Sequence, residues 1–540
     1  MGHIKPRLSR GGRAICFAAS VAARRAGAAP AAFFVLAVLG VVGCVLTPGG
    51  TRLANYPPPP GKTKFLSATD CKTCHPAEYR EWRSSMHAYA QTSPVFVAFN
   101  AFVAQSTGGT SGTFCVRCHT EIGISQGEGS LIPNNERSAI AMQSNGCINC
   151  HAMNTRDGQA SSLFRVPIPG DPEPVIYGPF YGHDEKAPGI APDSPMRLIK
   201  APHKTMYRGY IKNSRLCGAC HDVLLPDGTR LEEAFSEWRN SPYARKGITC
   251  QNCHMSPEPG KPLAFKVAPI VDTDLFPDAP PRPRTSHTFT GPDYSLVQAF
   301  AQSDLGLDDK AFAQHTALLE QQRVTLFKNA ATMAVGNPAS VGAGQTMHVT
   351  VAVTNTGAGH NFPTGFTAER QLWLEVIVTD ASGAELFKSG DLDRFGDLRD
   401  GDSGPVDDGT APYDWALFNL EAQFIVHNFR GVESENVTTT NRQLSPVPFE
   451  DPASLAAPLM GAPTPVGRIF KRGIPPLQTK TARYRISVPQ GVSGPLKLSV
   501  RLRYRNLPPH LMRDLSLPEL RSKLRIIDVQ TYQAQIALSR

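Results

Sequence analysis

The chain divides into a C-terminal region with alternating apolar and polar residues and an N-terminal region without that alternation. From residue 346 to 540, short alternating segments are separated by turn-forming sequences. Successive side chains of a strand point to opposite faces of a sheet, so alternation is typical of half-buried strands. The segments are 347–356, 372–380, 384–390, 481–489 and 496–505. They predict an antiparallel β-sandwich domain of immunoglobulin-like type over residues 346–540.

Residues 65–290 are predicted to form a mostly-α, irregular domain in which sheet is not expected. The strongest helical pattern is Pro76–Ala90, where Tyr79, Trp82 and Met86 recur at helical spacing. A second helix is predicted at 308–329, inside a helical connector and linker that spans residues 291–345. The whole chain is therefore expected to be multidomain, which suits its 540 residues.

The first 46 residues resemble an export leader. A basic stretch precedes a mostly apolar run, as in a signal peptide or a membrane anchor. Residues 41–44, Val-Val-Gly-Cys, look like a lipobox, in which case Cys44 would carry a lipid. An uncleaved apolar helix remains the alternative. The Pro-rich segment 47–64 is predicted to be a stiff linker.

The sequence Cys-x-x-Cys-His occurs five times between residues 71 and 254. This is the attachment motif of c-type haem, in which two thiols bind the porphyrin and the adjacent imidazole becomes an axial ligand of the iron. Chance would give about 0.007 copies at this composition. Zinc ribbons also use Cys-x-x-Cys pairs, but they do not require a histidine after every pair. The copies are Cys71, Cys74 and His75; Cys115, Cys118 and His119; Cys147, Cys150 and His151; Cys217, Cys220 and His221; and Cys250, Cys253 and His254.

Two haem segments resemble the multihaem c-type cytochromes, the group of cytochrome c-554, hydroxylamine oxidoreductase and pentahaem nitrite reductase. They are residues 71–88, CKTCHPAEYREWRSSMHA, and residues 216–222, LCGACHD. The resemblance covers residues 65–290 and extends more weakly to the C-terminus. It implies five haem c groups and export to the bacterial periplasm or cell surface. It also implies a second histidine ligand on most of the irons.

Four histidines outside the motifs are candidates for these second ligands. His87, His203, His287 and His360 lie in surroundings that resemble those of distal ligands in the family. His87 lies twelve residues after His75, which is about 18 Å along a continuous helix, so it should serve a neighbouring haem. The fifth place is open between His183, His315 and a methionine, Met206 or Met255. The spacing of the motifs groups the second with the third and the fourth with the fifth.

The formal net charge of +9 does not indicate nucleic-acid binding. Six of the basic residues lie in residues 1–43, which contain no acid, so the remainder carries +3. About two propionates on each haem would make the mature protein acidic. A run of aspartates between Asp391 and Asp408 could hold calcium, but its spacing fits no known calcium loop, so a solvated loop is the preferred interpretation.

These features favour a membrane-anchored electron-transfer protein outside the cytoplasm. Its partners would be other redox proteins: cytochromes, a quinol oxidase or a porin–cytochrome complex. The alternative is a reductase or oxidase that acts on a small nitrogen or sulfur compound at one five-coordinate haem. The Cys-x-x-Cys-Lys motif of the pentahaem nitrite reductases is absent from the chain, so no catalytic residue is carried over from them.

Overall fold

The structure is a computed structural model, and it describes most of the chain beyond the leader. The described ranges are 65–106, 112–129, 131–153, 175–224 with gaps at 184, 192–193, 195, 199–200 and 202, 230–262, 266–366, 370–427, 433–435, 467–470 and 472–539. The predicted leader, Cys44 and the linker lie outside these ranges. Every described helix is too short or too polar to cross a lipid bilayer.

The region that carries the motifs consists of short helices joined by loops. Those within the described ranges are α1 (Ala68–Lys72), α2 (Pro76–Arg83), α3 (Met86–Tyr89), α4 (Pro94–Ser106), α5 (Val116–His119), α6 (Glu121–Ser125), α7 (Cys147–His151), α8 (Arg215–Gly218), α9 (Ala234–Arg239), α10 (Pro242–Arg245), α11 (Cys250–His254) and α12 (Gln302–Leu305). Short 3-10 turns lie at Asn134–Glu136, Ala141–Gln143 and Gly209–Lys212.

Each motif lies on or beside one of these short helices. His119, His151 and His254 are the last residues of α5, α7 and α11. Residues at positions i, i+3 and i+4 share one face of a helix. The helical conformation therefore turns the two thiols and the imidazole of a motif toward the same side.

The predicted continuous helix over Pro76–Ala90 is wrong in its middle. It is interrupted at Ser84 and Ser85, between α2 and α3, where Ser85 has an extended backbone. The Ser84 hydroxyl donates to the carbonyl oxygens of Arg80 and Glu81 at 2.9 and 3.1 Å. Serine side chains compete in this way with helix propagation. The interruption means that His87 does not continue the helix that follows His75.

Three small ribbons show that the expectation of no sheet in this region was also wrong. Strands β1 (Ile176–Gly178) and β2 (Thr205–Tyr207) pair in parallel. Two further ribbons are antiparallel: β3 (Val223–Leu224) with β4 (Arg230–Glu232), and β5 (Lys266–Ala268) with β6 (Arg282–Arg284).

A long helix joins the two regions. Helix α13 (Asp309–Ala330) matches the helix predicted at 308–329. Asp308 caps its N-terminus by accepting a hydrogen bond from the Ala311 N–H at 2.7 Å. The helix passes directly into strand β7 (Ala331–Gly336) of the C-terminal region.

The C-terminal region is rich in strands, as the alternation predicted. The others that the structure describes are β8 (Ser340–Gly342), β9 (Thr346–Asn355), β10 (Gln371–Thr379), β11 (Glu385–Ser389), β12 (Gln423–His427), β13 (Glu433–Glu435), β14 (Gly467–Phe470), β15 (Thr479–Ser487), β16 (Leu496–Arg505) and β17 (Ile527–Ser539). Short helices α14 (Gly404–Asp407) and α15 (Pro509–Asp514) and a 3-10 turn at Pro518–Lys523 lie among them.

Two of the described sheets contribute to one apolar core. A five-stranded sheet has the order β11-β10-β16-β17-β8, and a three-stranded sheet has the order β15-β9-β7. Alternate residues of β9, such as Val349, Val351 and Val353, are buried. They belong to the same cluster as Leu374 of β10 and Leu498 of β16. A third sheet, β13-β12-β14, completes the set of described sheets in this region.

The expectation of a C-terminal β-rich region is therefore confirmed, whereas its immunoglobulin-like type stays a prediction. The pairing also departs from a wholly antiparallel arrangement, because β8 runs parallel to β17. The motif region and the β-rich region together give the multidomain architecture that the sequence predicted.

The aspartate-rich segment is not the solvated loop that the sequence favoured. Asp397 is buried, accepts a hydrogen bond from Arg513 at 2.6 Å, and also accepts one from the His510 N–H at 2.8 Å. Asp414 accepts from the Ser389 hydroxyl and the Gly390 N–H. Within the described ranges, no group of three or more His, Cys, Asp or Glu residues is arranged to hold a metal ion. These carboxylates organise the loop through arginine and backbone N–H groups, so the structure offers no support for calcium there.

Replacing Leu374 with alanine tests the shared core. Leu374 is fully buried on β10, which lies between β11 and β16 in the five-stranded sheet, and truncation would leave a cavity. We expect the free energy of unfolding to fall by about 2–5 kcal/mol in urea titrations followed by circular dichroism. Lys497→Ala on neighbouring β16, an exposed position, is the matched control and should change it by less than about 0.5 kcal/mol. Equal effects of the two changes would contradict the assigned core.

Candidate haem-binding sites

The Nδ1 atom of every motif histidine has a hydrogen-bond acceptor. Four of the five acceptors are backbone carbonyl oxygens, and the fifth is a carboxylate. The pairs are His75 with Ile270 O at 2.6 Å, His119 with Ala90 O at 2.8 Å, His151 with Tyr177 O at 2.8 Å, His221 with Glu232 Oε1 at 2.8 Å, and His254 with Thr290 O at 2.8 Å. Donation from Nδ1 fixes the tautomer in which Nε2 carries a free lone pair, which is the form that binds a metal.

Three of the motif histidines face a second histidine at a similar distance. The ring centres are 6.2 Å apart for His87 and His221, 6.4 Å apart for His151 and His287, and 6.2 Å apart for His254 and His360. Two imidazoles bound through nitrogen to one metal ion have ring centres about 6 Å apart, because each metal–nitrogen bond is about 2 Å long. The residues present therefore fit an iron held between two histidines.

The fourth candidate second ligand is His203. It precedes strand β2, and its Nδ1 atom lies 3.0 Å from the Thr205 hydroxyl. Burial lowers the pKa of His203, and the charge of nearby His75 lowers it further. His203 thus lies close enough to His75 of the first motif for their charges to interact, although it precedes the fourth motif in sequence.

His119 differs from the other motif histidines. Its ring stacks on Phe96 at 3.6 Å between centres and 7° between planes, and no other described histidine faces it across 6 Å. A stacked ring lies beside the imidazole, not on the far side of a metal bound to its Nε2. His119 therefore packs against an aromatic ring and faces no second histidine among the described residues.

Four residues are candidates for the fifth place: His183, His315, Met206 and Met255. His183 is exposed on the loop after Tyr181. The Nε2 atom of His315, on α13, is 3.0 Å from the Ser84 hydroxyl. Met206 is an exposed residue of β2, and Met255 follows His254 directly at the end of α11. The fifth place therefore remains open.

Burial keeps most of the facing imidazoles neutral. It lowers the pKa of His87 to about 3 and that of His119, His151 and His254 to about 4. Neutral imidazole is the form that ligates a metal. His221 is the exception: desolvation opposes its charge, but the charge and the hydrogen bond of Glu232 outweigh it and raise the pKa to about 9.

Thiols of different motifs lie close enough to shift each other's pKa. The pairs are Cys71 with Cys147, Cys118 with Cys220, and Cys217 with Cys250. These interactions place the first motif beside the third, and the fourth beside both the second and the fifth. Cys150 of the third motif lies close enough to Cys217 and Cys220 for their charges to interact. The fourth motif is thus the junction of the set, an arrangement that the sequence spacing of the motifs does not reveal.

Two carboxylate contacts hold candidate second ligands in place. The His287 N–H donates to Glu81 Oε2 of α2 at 2.8 Å. Glu237 of α9 accepts from the Asn361 N–H at 3.2 Å and its side-chain amide at 2.8 Å, next to His360. Glu237 also accepts from the Thr364 hydroxyl at 2.5 Å. The contacts of Glu237 join the motif region to the β-rich region, because the loop that contains His360 lies between β9 and β10 of the β-rich region.

Sequence reasoning missed Glu232, Glu237 and Phe96. Each acts on a histidine that is distant in sequence or lies on another element. Glu232 is eleven residues from His221, and Glu237 is more than a hundred residues from His360. Only the folded arrangement brings them together, so no local signal could have identified them.

Residues 70–152, which contain the first three motifs, match the family described as cytochrome c554 and c-prime. This match confirms the resemblance of that segment to the multihaem c-type cytochromes. Among solved structures, the chain is similar to a penta-haem cytochrome c552 from Thermochromatium tepidum, with 18% identity and a TM-score of 0.49. The similarity covers 87% of this chain and 99% of that chain. No curated protein matches the chain significantly.

Replacing Glu237 with alanine tests the clamp on the His360 loop. The change removes the acceptor for three donors and leaves them unpaired at the junction of the two regions. We expect a loss of about 1–3 kcal/mol in the local opening free energy, measured by hydrogen exchange of the amides of residues 356–365. Glu233→Ala is the control, since Glu233 is a nearby carboxylate that forms an ion pair with Arg230. Protection of the loop that is unchanged in the Glu237 variant would show that Glu237 does not hold it.

Proposed function

We propose that the protein transfers electrons outside the cytoplasm through five covalently attached c-type haems. The observation that carries the proposal is the set of three histidine pairs with ring centres 6.2–6.4 Å apart. Each pair joins one motif histidine to one histidine from a distant part of the chain. When bound, haem supplies one-electron redox chemistry at its iron.

The chain offers candidate attachment residues and a first axial ligand for each haem, and candidate second ligands for four of them. The motif cysteines attach the macrocycles, and the motif histidines supply the first axial ligands. Second ligands would come from His203 for the first motif, His287 for the third, His87 for the fourth and His360 for the fifth. Two strong imidazole ligands leave no open position on an iron, which suits electron transfer and disfavours substrate binding.

Contacts between motifs support a continuous electron path. A thiol of the first motif lies close enough to one of the third to shift its pKa, and thiols of the fourth interact in the same way with the second and the fifth. Neighbouring thiols would attach their haems next to each other. Because Cys150 lies near Cys217 and Cys220, the two groups are linked through the fourth motif.

A second candidate function is reduction or oxidation of a small nitrogen or sulfur compound at the His119 site. The observation in its favour is that no described histidine faces His119, so its iron would keep an open position. Glu121, two residues later, is a buried carboxyl group whose pKa is raised to about 8 by desolvation and by the charge of Cys118.

The location and partners follow from the same proposal. The leader supports export to the periplasm or cell surface, with anchoring by an uncleaved helix or by a lipid on Cys44. The partners would be redox proteins such as cytochromes, a quinol oxidase or a porin–cytochrome complex. The β-rich region, proposed as an immunoglobulin-like sandwich, both contributes His360 and offers a surface for docking.

Haem counting with low-temperature EPR of the oxidised holoprotein tests this proposal. We expect five haems per chain, four of them low-spin, and one high-spin haem that takes up added cyanide. A count below five would contradict the assignment of the motifs. Five low-spin haems would exclude the second candidate function and leave the electron-transfer proposal in place.

Replacing His287 with alanine checks the ligand assignment. The third haem should lose its second ligand, so the high-spin signal should double while the haem count stays at five. His315→Ala is the matched control, because His315 contacts Ser84 and faces no motif histidine in the described structure. A low-spin spectrum that is unchanged in the His287 variant would refute the pairing of His287 with His151.

A further inference from the structure

The hydrogen bond of His221 has a charged acceptor, unlike the hydrogen bonds of the other four motif histidines. The Nδ1 atoms of the other motif histidines donate to backbone carbonyls, whereas His221 donates to Oε1 of Glu232 at 2.8 Å. All five donor–acceptor distances lie between 2.6 and 2.8 Å, so the contacts are geometrically alike. The acceptor on His221 alone carries a full negative charge.

The surrounding structure holds Glu232 against this imidazole. Glu232 is the last residue of β4, and it pairs with Val223 of β3 two residues after His221. The loop of the β-rich region packs on the other side, where a Cβ atom on Gly365 would lie 3.9 Å from Glu232 Oε1. The ribbon and the loop together fix the carboxylate where it meets Nδ1.

A carboxylate acceptor changes the ligand that it contacts. It draws the Nδ1 proton toward itself, so electron density rises at Nε2 and the imidazole becomes a stronger donor to a metal. A stronger anionic donor favours the ferric over the ferrous state, because the ferric ion has the greater positive charge. Hydrogen bonding outside the ligand shell is a recognised means of setting haem potentials.

We propose that Glu232 is a positioning residue that lowers the reduction potential of the haem attached to Cys217 and Cys220. This inference rests on the proposed function, since it requires haem on the fourth motif. That motif is the junction of the set, because its thiols lie close enough to thiols of the second, third and fifth motifs for their charges to interact. A lowered potential at the junction makes it a relay that passes electrons to its neighbours without storing them.

The test replaces Glu232 with glutamine in the full-length holoprotein. The glutamine carbonyl oxygen can accept the same hydrogen bond, so E232Q converts this site to the neutral type found at the other four. We expect the ferric preference of one haem to weaken about tenfold, which is a rise of about 59 mV for a one-electron couple. Spectroelectrochemical titration measures this shift, and the reduction potentials of the other four haems should not change.

Two further variants make the result specific. Glu233→Gln removes a neighbouring carboxylate that contacts Arg230, and it should leave all five potentials unchanged. His87→Ala removes the second ligand of the junction haem, so the low-spin EPR signal that disappears identifies that haem. The haem whose reduction potential rises in E232Q must be the haem identified in this way.

Each outcome decides the matter. Five haems in E232Q with no potential shifted beyond that of the control would overturn the proposal, while the haem assignment would stand. A wild-type count below five would instead refute the proposed function. If E232Q does not incorporate haem, EPR of the wild-type protein tests the inference instead. A carboxylate that accepts from the axial imidazole should give one low-spin haem a narrower spread of g-values than the others. If no low-spin haem has this narrower spread, the inference is overturned.

Discussion

Every candidate haem site depends on the hydrogen bond that leaves Nε2 of a motif histidine free. The acceptor is supplied in each case from outside the motif, and for His75 it comes from Ile270, almost two hundred residues away. An imidazole without such an acceptor could rotate or change its tautomer, and its Nε2 lone pair would no longer have a fixed direction. The loops around the motifs are therefore constrained by the ligands that they orient, although they contain little regular secondary structure.

The same constraint explains how a region of short helices can hold together. Its described apolar clusters are small, whereas one large cluster fills the β-rich region. Bound cofactors would supply much of the apolar contact that the side chains of the motif region do not make. Ligand binding and folding are then coupled, as they are in other small metal-binding domains.

Sequence reasoning was strongest where the chemistry is local. The motifs place their thiols and imidazole at helical spacing, and the alternation in β9, β10, β15 and β16 predicts strands directly. It failed where a side chain interrupts a favourable pattern, as at Ser84, and where partners are far apart. His87, His203, His287 and His360 were proposed by resemblance, and their proposed assignment to particular motifs required the fold. Glu232 gave no signal, because a glutamate at the end of a two-stranded ribbon has no distinctive sequence context.

The proposed ligand role of His360 would also impose an order in time on the assembly of the protein. Synthesis and export proceed from the N-terminus, so a nascent chain presents its last Cys-x-x-Cys-His motif roughly a hundred residues before His360 emerges. The proposed fifth site stays incomplete until the strands on both sides of His360 have formed. Completion of that proposed site would thus report that the distal part of the chain has folded, so the final ligand would act as a checkpoint on maturation.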